Sequence, residues 1–251
     1  MMKKTSRRHT FIALFGIIML AFLILMSFAG AKQLVDTSSS GGDPLKNVYE
    51  KDIKTPDEAL RINPQNETAW IEKGLALDIL NRHDETIKAY DRVIEIDPQN
   101  STVWIYKGLT LTTLGKYNEA IIAFDKAIEI NSQDLDAWKH KGTTLVDLKR
   151  YDEAIAAYDK AIEIDPYNSL AWYSKGDALV YLNKPDEALK ALDKALESKP
   201  SNRLILDSKA AVLVKLGKSD EAMKIYDKEI EINPQDLIAL YNKKTLSKQI
   251  K

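Results

Sequence analysis

Gly217-Lys218-Ser219 has the residue types that close a phosphate-binding loop, in which backbone amides and a lysine cradle the phosphates. That loop also needs a glycine at position 212, where the chain has Val212, and a strand before it. The apolar spacing there is helical, so this stretch reads as a turn between helices. Adjacent carboxylates at Asp84-Glu85, Asp152-Glu153, Asp186-Glu187 and Asp220-Glu221 are the types that general acid–base work requires. Each pair opens an amphipathic run, where negative charge suits the helix dipole, and that reading absorbs them. His9, His83 and His140 lie far apart with no second ligand at metal spacing, so no zinc site is expected. The chain has no cysteine, which excludes disulfides, thiolate metal sites, a thiol nucleophile and a lipid-modified cysteine. No Gly-x-Ser-x-Gly elbow occurs. We therefore expect no catalytic residues, no cofactor and no bound metal. Asn66-Glu67-Thr68 and Asn100-Ser101-Thr102 fit the N-glycosylation sequon.

Charge narrows the partners. Among 251 residues, 36 basic and 37 acidic side chains leave a formal net charge of −1. No polybasic block follows residue 8, so nucleic acid is not an expected partner. The early basic residues Lys3, Lys4, Arg7 and Arg8 precede an apolar run over residues 11–31. As a helix that run would span roughly 31 Å, close to the ~30 Å hydrocarbon thickness of a bilayer. It reads as a membrane segment with its basic flank in the cytoplasm, which puts the rest of the chain outside. Ala29-Gly30-Ala31 fits a signal-peptidase site, but the apolar stretch exceeds the ~7–15 residues of a cleaved signal. A retained single-pass anchor is the expectation; secretion after cleavage near Ala31 is the alternative. Residues 32–52, with Thr37-Ser-Ser-Ser-Gly-Gly-Asp-Pro44, read as a flexible linker.

What must position any site is a repeat. Trp104-Ile-Tyr-Lys-Gly-Leu has counterparts at Trp70, Trp138 and Trp172, each 34 residues from the next, and an eroded copy at Leu206. A fixed period in this range means stacked supersecondary units. Within each period the helical apolar spacing occurs twice: Ala137, Trp138, Leu145 and Leu148, then Tyr151, Ala154, Ile155, Tyr158, Ile162 and Ile164. Lys149-Arg150 separates the two, at a place held by Gly115 and Gly217 in other copies. Asp165-Pro166-Tyr167-Asn168 ends one unit, and its last residue can cap the next helix. Gly74, Gly108, Gly142, Gly176 and Ala210 form a small column facing Ala120, Ala154, Ala188 and Ala222, which lets two helices approach.

These residues, at this period, resemble the tetratricopeptide repeat family, whose signature is nearly complete in Trp138-Gly142-Ala154-Tyr158-Ala161-Pro166. The resemblance implies an all-α fold, a right-handed superhelix of helical hairpins behind the membrane helix. Five repeats fall at 67–100, 101–134, 135–168, 169–202 and 203–236. A partial repeat precedes them at 53–66, and a capping helix follows at 237–251. Thr86, Ser132 and Glu229 replace the family's Ala, Pro and Ala, so looser packing is expected at those joints. Lys73, Lys107, Lys141, Lys175 and Lys209 form a column opposite an acidic one, Asp91, Asp125, Asp159, Asp193 and Asp227. The lysines either make a basic stripe for an acidic ligand or cover apolar surface while meeting carboxylates on adjoining helices. A change made identically in every repeat favours the second.

The resemblance also implies a concave groove lined by first helices that holds a peptide or partner protein. Carried onto this chain, its residues are Ile71 and Leu75, Ile105 and Leu109, Lys139 and Thr143, Tyr173 and Asp177, with Asp207 and Ala211 beyond them. The early pairs make an aliphatic strip of the kind that marks a protein site. The lysine–asparagine pair by which some family members grip a C-terminal carboxylate is missing. The expected function is a membrane-tethered, non-catalytic protein-interaction scaffold. The alternatives are a self-associating assembly protein and an accessory subunit of an extracytoplasmic enzyme complex.

Overall fold

The residues that a computed structural model describes are 44–249, with side chains from 53 to 248; they form twelve helices and no strand. The chain separates into two units, Met1–Asn47 and Val48–Lys251, and the array belongs to the second. The apolar segment 11–31 and the linker as far as residue 43 lie outside the described residues. Among the described residues no helix is long and apolar enough to cross a membrane.

Helix α1 spans Pro44–Ile62. Five hairpins follow: α2 (Glu67–Ile79) with α3 (His83–Ile96), α4 (Ser101–Thr113) with α5 (Tyr117–Ile130), α6 (Leu135–Asp147) with α7 (Tyr151–Ile164), α8 (Ser169–Tyr181) with α9 (Pro185–Ser198), and α10 (Arg203–Lys215) with α11 (Ser219–Ile232). Helix α12 (Leu237–Gln249) closes the array. Each second helix packs on its own first helix and on the first helix of the next hairpin, and the first helices α4, α6, α8 and α10 also touch in succession.

The boundaries have local causes. Asn66, Asn100, Asp134, Asn168 and Asn202 each accept, through the side chain, from the backbone N–H three residues on, at 3.0–3.3 Å. Asp236 does the same for α12, accepting from Ala239 N at 3.1 Å. These caps satisfy amides that have no partner within the helix. At the hairpin turn the chain enters the left-handed region: Asn81, Gly115, Lys149, Asn183 and Gly217 have φ between 56° and 72°. Arg150 N then donates to Leu145 O and Lys149 N to Val146 O, both at 2.8 Å, closing the last carbonyls of α6.

The core is a row of small clusters rather than one centre. Phe124 packs with Ile105, Leu111, Ala120, Ala123, Ala127 and Ala137, and Tyr158 with Leu145, Ala154 and Ala178. The indole N–H groups of Trp70, Trp104, Trp138 and Trp172 donate to the backbone oxygens of Pro64, Pro98, Ser132 and Pro166, at 2.8–3.2 Å. Each tryptophan thereby pins a first helix to the link before it.

Two expectations need correction. Residues 44–52 are helix, not linker: Leu45, Val48, Tyr49 and Ile53 recur at helical spacing, and proline is well placed at a helix start. The joints at Thr86 and Ser132 are not loose. Thr86 is fully buried and donates to Arg82 O at 3.2 Å, and Ser132 O takes the same indole bond that a proline carbonyl takes elsewhere. Besides fitting the sequon, Asn66 and Asn100 serve as helix caps, and Asn100 Nδ2 also donates to Glu67.

Candidate functional site

The lysine and aspartate columns meet at every joint. Lys73 pairs with Asp57 at 2.7 Å, Lys107 with Asp91 and Lys141 with Asp125 at 2.6 Å, and Lys175 with Asp159 and Lys209 with Asp193 at 2.5 Å. Lys243 pairs with Asp227 at the last joint. Each bridge ties a first helix to the second helix of the preceding unit. The ammonium groups of Lys73, Lys107, Lys141 and Lys175 also stand 5.3–5.6 Å from the ring centres of the neighbouring tryptophans, within cation–π range. The lysines are joint fasteners, not an open basic stripe. On the second helices Arg82–Glu85, Arg92–Glu95, Lys126–Glu129, Arg150–Glu153, Lys160–Glu163 and Lys194–Glu197 pair along one helix at 2.5–2.8 Å.

The first helices are different. Ile105 is buried at 7% exposure, while Ile71, Leu75 and Leu109 are half-buried. Ile71 packs beside Tyr90, Val93 and Val103, and Leu109 beside the Phe124 cluster. The aliphatic strip is therefore partly core. Lys139 pairs with Asp136 at 2.7 Å on its own helix. Thr143 is exposed, donates to Lys139 O at 3.1 Å, and lies 3.3 Å from the Tyr158 hydroxyl. Tyr173 and Asp177 are half-buried.

Around the Tyr158 hydroxyl the structure gathers groups from three helices. Burial holds that phenol above its ordinary pKa, hydrogen bonding to Thr143 and Ser174 pulls it down, and the charges of Asp177 and Asp147 raise it again. Burial alone raises Asp177 and also Asp147, whose residue is exposed. Among the described residues neither carboxylate finds a hydrogen bond or an ion pair. Tyr173 is raised by burial, against a hydrogen bond to Ser208. Asp207 keeps Arg203 at 3.4 Å, and Arg203 reaches on to Asp236 at 3.0 Å. Asp147 and Tyr158 were absent from the groove drawn by resemblance, because Tyr158 lies on a second helix and Asp147 at a helix end. Among the described residues no group of three or more His, Cys, Asp or Glu side chains could hold a metal ion.

Comparison with known proteins gives the same architecture. The sequence pattern described as anaphase-promoting complex, cyclosome, subunit 3 matches residues 79–161. Two patterns described as tetratricopeptide repeat match residues 145–211 and 205–236. YrrB, described as having an unusual peptide-binding site, superposes with a TM-score of 0.62 at 23% identity, over 76% of this chain and 99% of that one. MamA superposes at 0.61 and 25% identity, over 66% and 90%. A thermophilic tetratricopeptide protein of Thermus thermophilus superposes at 0.54 and 21%, over 72% and 98%. No curated protein matches the sequence.

Proposed function

From a chain whose hairpins are tetratricopeptide repeats, we propose that the array is a non-catalytic scaffold. It holds a segment of another protein along the face of its first helices. One observation carries this. The residues that stack the hairpins recur with few exchanges, while the groove pairs, Ile71/Leu75 and Ile105/Leu109 in the first two hairpins, become Lys139/Thr143, Tyr173/Asp177 and Asp207/Ala211 in the next three. Stacking needs no such variation; recognition of an irregular partner does. The peptide-binding site described for YrrB agrees with the reading. The membrane tether through residues 11–31, with the array outside, belongs to the same proposal and rests on the basic flank.

A photo-crosslinking side chain at Leu75, Thr143 or Tyr173, compared in intact cells with one at Lys160 or Lys190 on second helices, tests it. Adducts to one protein from the first-helix positions alone support the groove; equal adducts from both sets sink it. A C-terminal reporter active only outside the cytoplasm tests the tether.

One feature supports self-association as a second reading. Helix α12 packs on α11 and exposes Leu237 at 79% and Tyr241 at 69%. Concentration-dependent mass that Leu237→Ser and Tyr241→Ser abolish would establish it.

A further inference from the structure

Asp147, Asp177 and Asp207 recur every 30 residues in an array whose period is 34. Each step falls short of a full repeat by about one helical turn of 3.6 residues. On first helices that lie side by side, the three carboxylates therefore form a diagonal row, from the end of α6 through the middle of α8 to the second turn of α10. Among the described residues Asp147 and Asp177 have no hydrogen bond and no counter-ion, and both act on the same phenol, Tyr158. Asp207 shares Arg203 with Asp236. At that end Glu229, 3% exposed, has both carboxylate oxygens without a hydrogen-bond partner and faces Asp207. The flanking side chains are aromatic: Tyr173 beside Asp177, and Tyr181, exposed and stacked on Tyr151 at 4.9 Å.

A half-buried carboxylate without a partner costs free energy that an incoming cation recovers. Among the described residues the other half-buried carboxylates are hydrogen-bonded or ion-paired, so Asp177 is where an external basic group completes the pairing, with the exposed Asp147 and the Arg203-linked Asp207 extending the acidic row on either side. We infer that the segment held by the first helices is an extended, basic peptide of a partner protein, with lysine or arginine spaced to meet Asp147, Asp177 and Asp207. This rests on the groove reading above and names its partner chemistry. Packed helices lie about 8–10 Å apart, and an extended chain of polyproline II type rises about 3.1 Å per residue with three residues per turn, which returns every third side chain to the same face. Basic side chains three residues apart therefore match the row, and tyrosine faces give their guanidinium planes a second contact.

The test is fluorescence anisotropy with the full-length chain and a labelled peptide of about twelve residues carrying arginine at every third position. Comparison peptides replace arginine by glutamate, replace it by leucine, or gather the arginines at one end. The spaced arginine peptide is expected to bind at least about tenfold tighter than the glutamate one. It should lose about tenfold or more on Asp147→Asn with Asp177→Asn, with a shallower salt dependence. Asp220→Asn with Glu221→Gln, the same charge change on a second helix, should leave binding unchanged. Thermal melting of the asparagine pair at or above that of the natural chain excludes unfolding as the cause. Unaltered binding by the asparagine pair, or equal binding of the glutamate or clustered peptide, overturns the proposal. Binding of the leucine peptide alone, lost on Leu75→Glu, overturns it while leaving the groove reading intact. No binding of any peptide overturns it too, and the crosslinks then decide the groove by themselves.

Discussion

The ring of Tyr158 occupies the space that a side chain at Gly142 would need: a Cβ there would stand 2.5 Å from Cε1 and 2.8 Å from Cδ1. Phe124 lies over Gly108 in the same way, at 2.6 Å. At Gly176 the opposing residue is the smaller Leu192, and the nearest atoms stand at 3.1 and 3.2 Å. Alanine in place of glycine gains up to about 1 kcal/mol of helix propensity, whereas overpacking a core costs about 1–3 kcal/mol. Gly142→Ala is therefore expected to lower stability, because the Tyr158 hydroxyl is also held near Thr143. Gly176→Ala should be neutral within about 0.5 kcal/mol. Ala210 already faces this way beside Tyr226 in the last hairpin, so a ring can yield there. Thermal unfolding followed by circular dichroism checks the contrast, and equal losses at both glycines would refute it.

Lys107 separates charge from packing. Its ammonium group bonds Asp91 at 2.6 Å and stands over Trp104, while its stem is largely covered. Half-exposed ion pairs contribute about 0–1 kcal/mol. Lys107→Met, which keeps the stem, should then cost less than about 1 kcal/mol. Lys107→Ala should cost clearly more. If the two variants melt together, packing by the stem is not what the column supplies.

Lys149 adopts φ 60° at a turn where two other hairpins use glycine and two use asparagine. A residue with a Cβ in this region loses roughly 1–2 kcal/mol, while glycine adopts it freely. Lys149→Gly is expected to stabilise the array by about 0.5–1 kcal/mol, raising its melting temperature by about 2–4 °C. Gly115→Lys, the reverse exchange, should lower it by a similar amount. No change in either direction would show that these turns contribute nothing to the folding equilibrium.

What the sequence made legible follows from how a solenoid is built. Contacts join residues close in the chain, so the Trp, Gly and Pro columns and the 16-residue step from Asp91 to Lys107 stand out as repeats. The start of α1 was hidden because the Ser- and Gly-rich stretch before Pro44 masks a short helical pattern. The groove was legible only by resemblance. Ile105 was placed on its surface, yet it packs into the Phe124 cluster, because a position's exposure depends on how far neighbouring hairpins cover it. The diagonal of acids escaped for the opposite reason: aligning the repeats puts Asp147, Asp177 and Asp207 in three different columns.

Glu229 makes the last joint sensitive to pH. It stands where earlier hairpins carry Val93, Ala127, Ala161 and Ala195, and its carboxyl is pushed up to about 7. Burial is the largest cause; the Asp207 and Asp236 carboxylates add to it, and Arg203 opposes it. In the charged form no donor meets it, whereas in the protonated form its O–H can donate to the Asp207 carboxylate. The facing groups are Arg203 and Asp207 from α10, Tyr226 from α11 itself and Asp236 at the cap of α12. Because the folded-state value lies above the unfolded one of 4.5, the protonated group's contribution is full below about 4.5. It is lost as pH rises through about 7. A shift of this size corresponds to at most about 3.4 kcal/mol. Denaturant unfolding of the natural chain should therefore lose stability between about pH 5 and 8 by up to that amount. Glu229→Ala should flatten this part of the profile and exceed the natural chain at about pH 8, while Glu229→Gln, an amide in the same space, should flatten it without the full gain. Because the loss is local, hydrogen exchange of α12 amides should quicken before those of α4 to α7 as the pH is raised, after correction for the intrinsic rate. A profile unchanged by Glu229→Ala would mean that another group controls this joint.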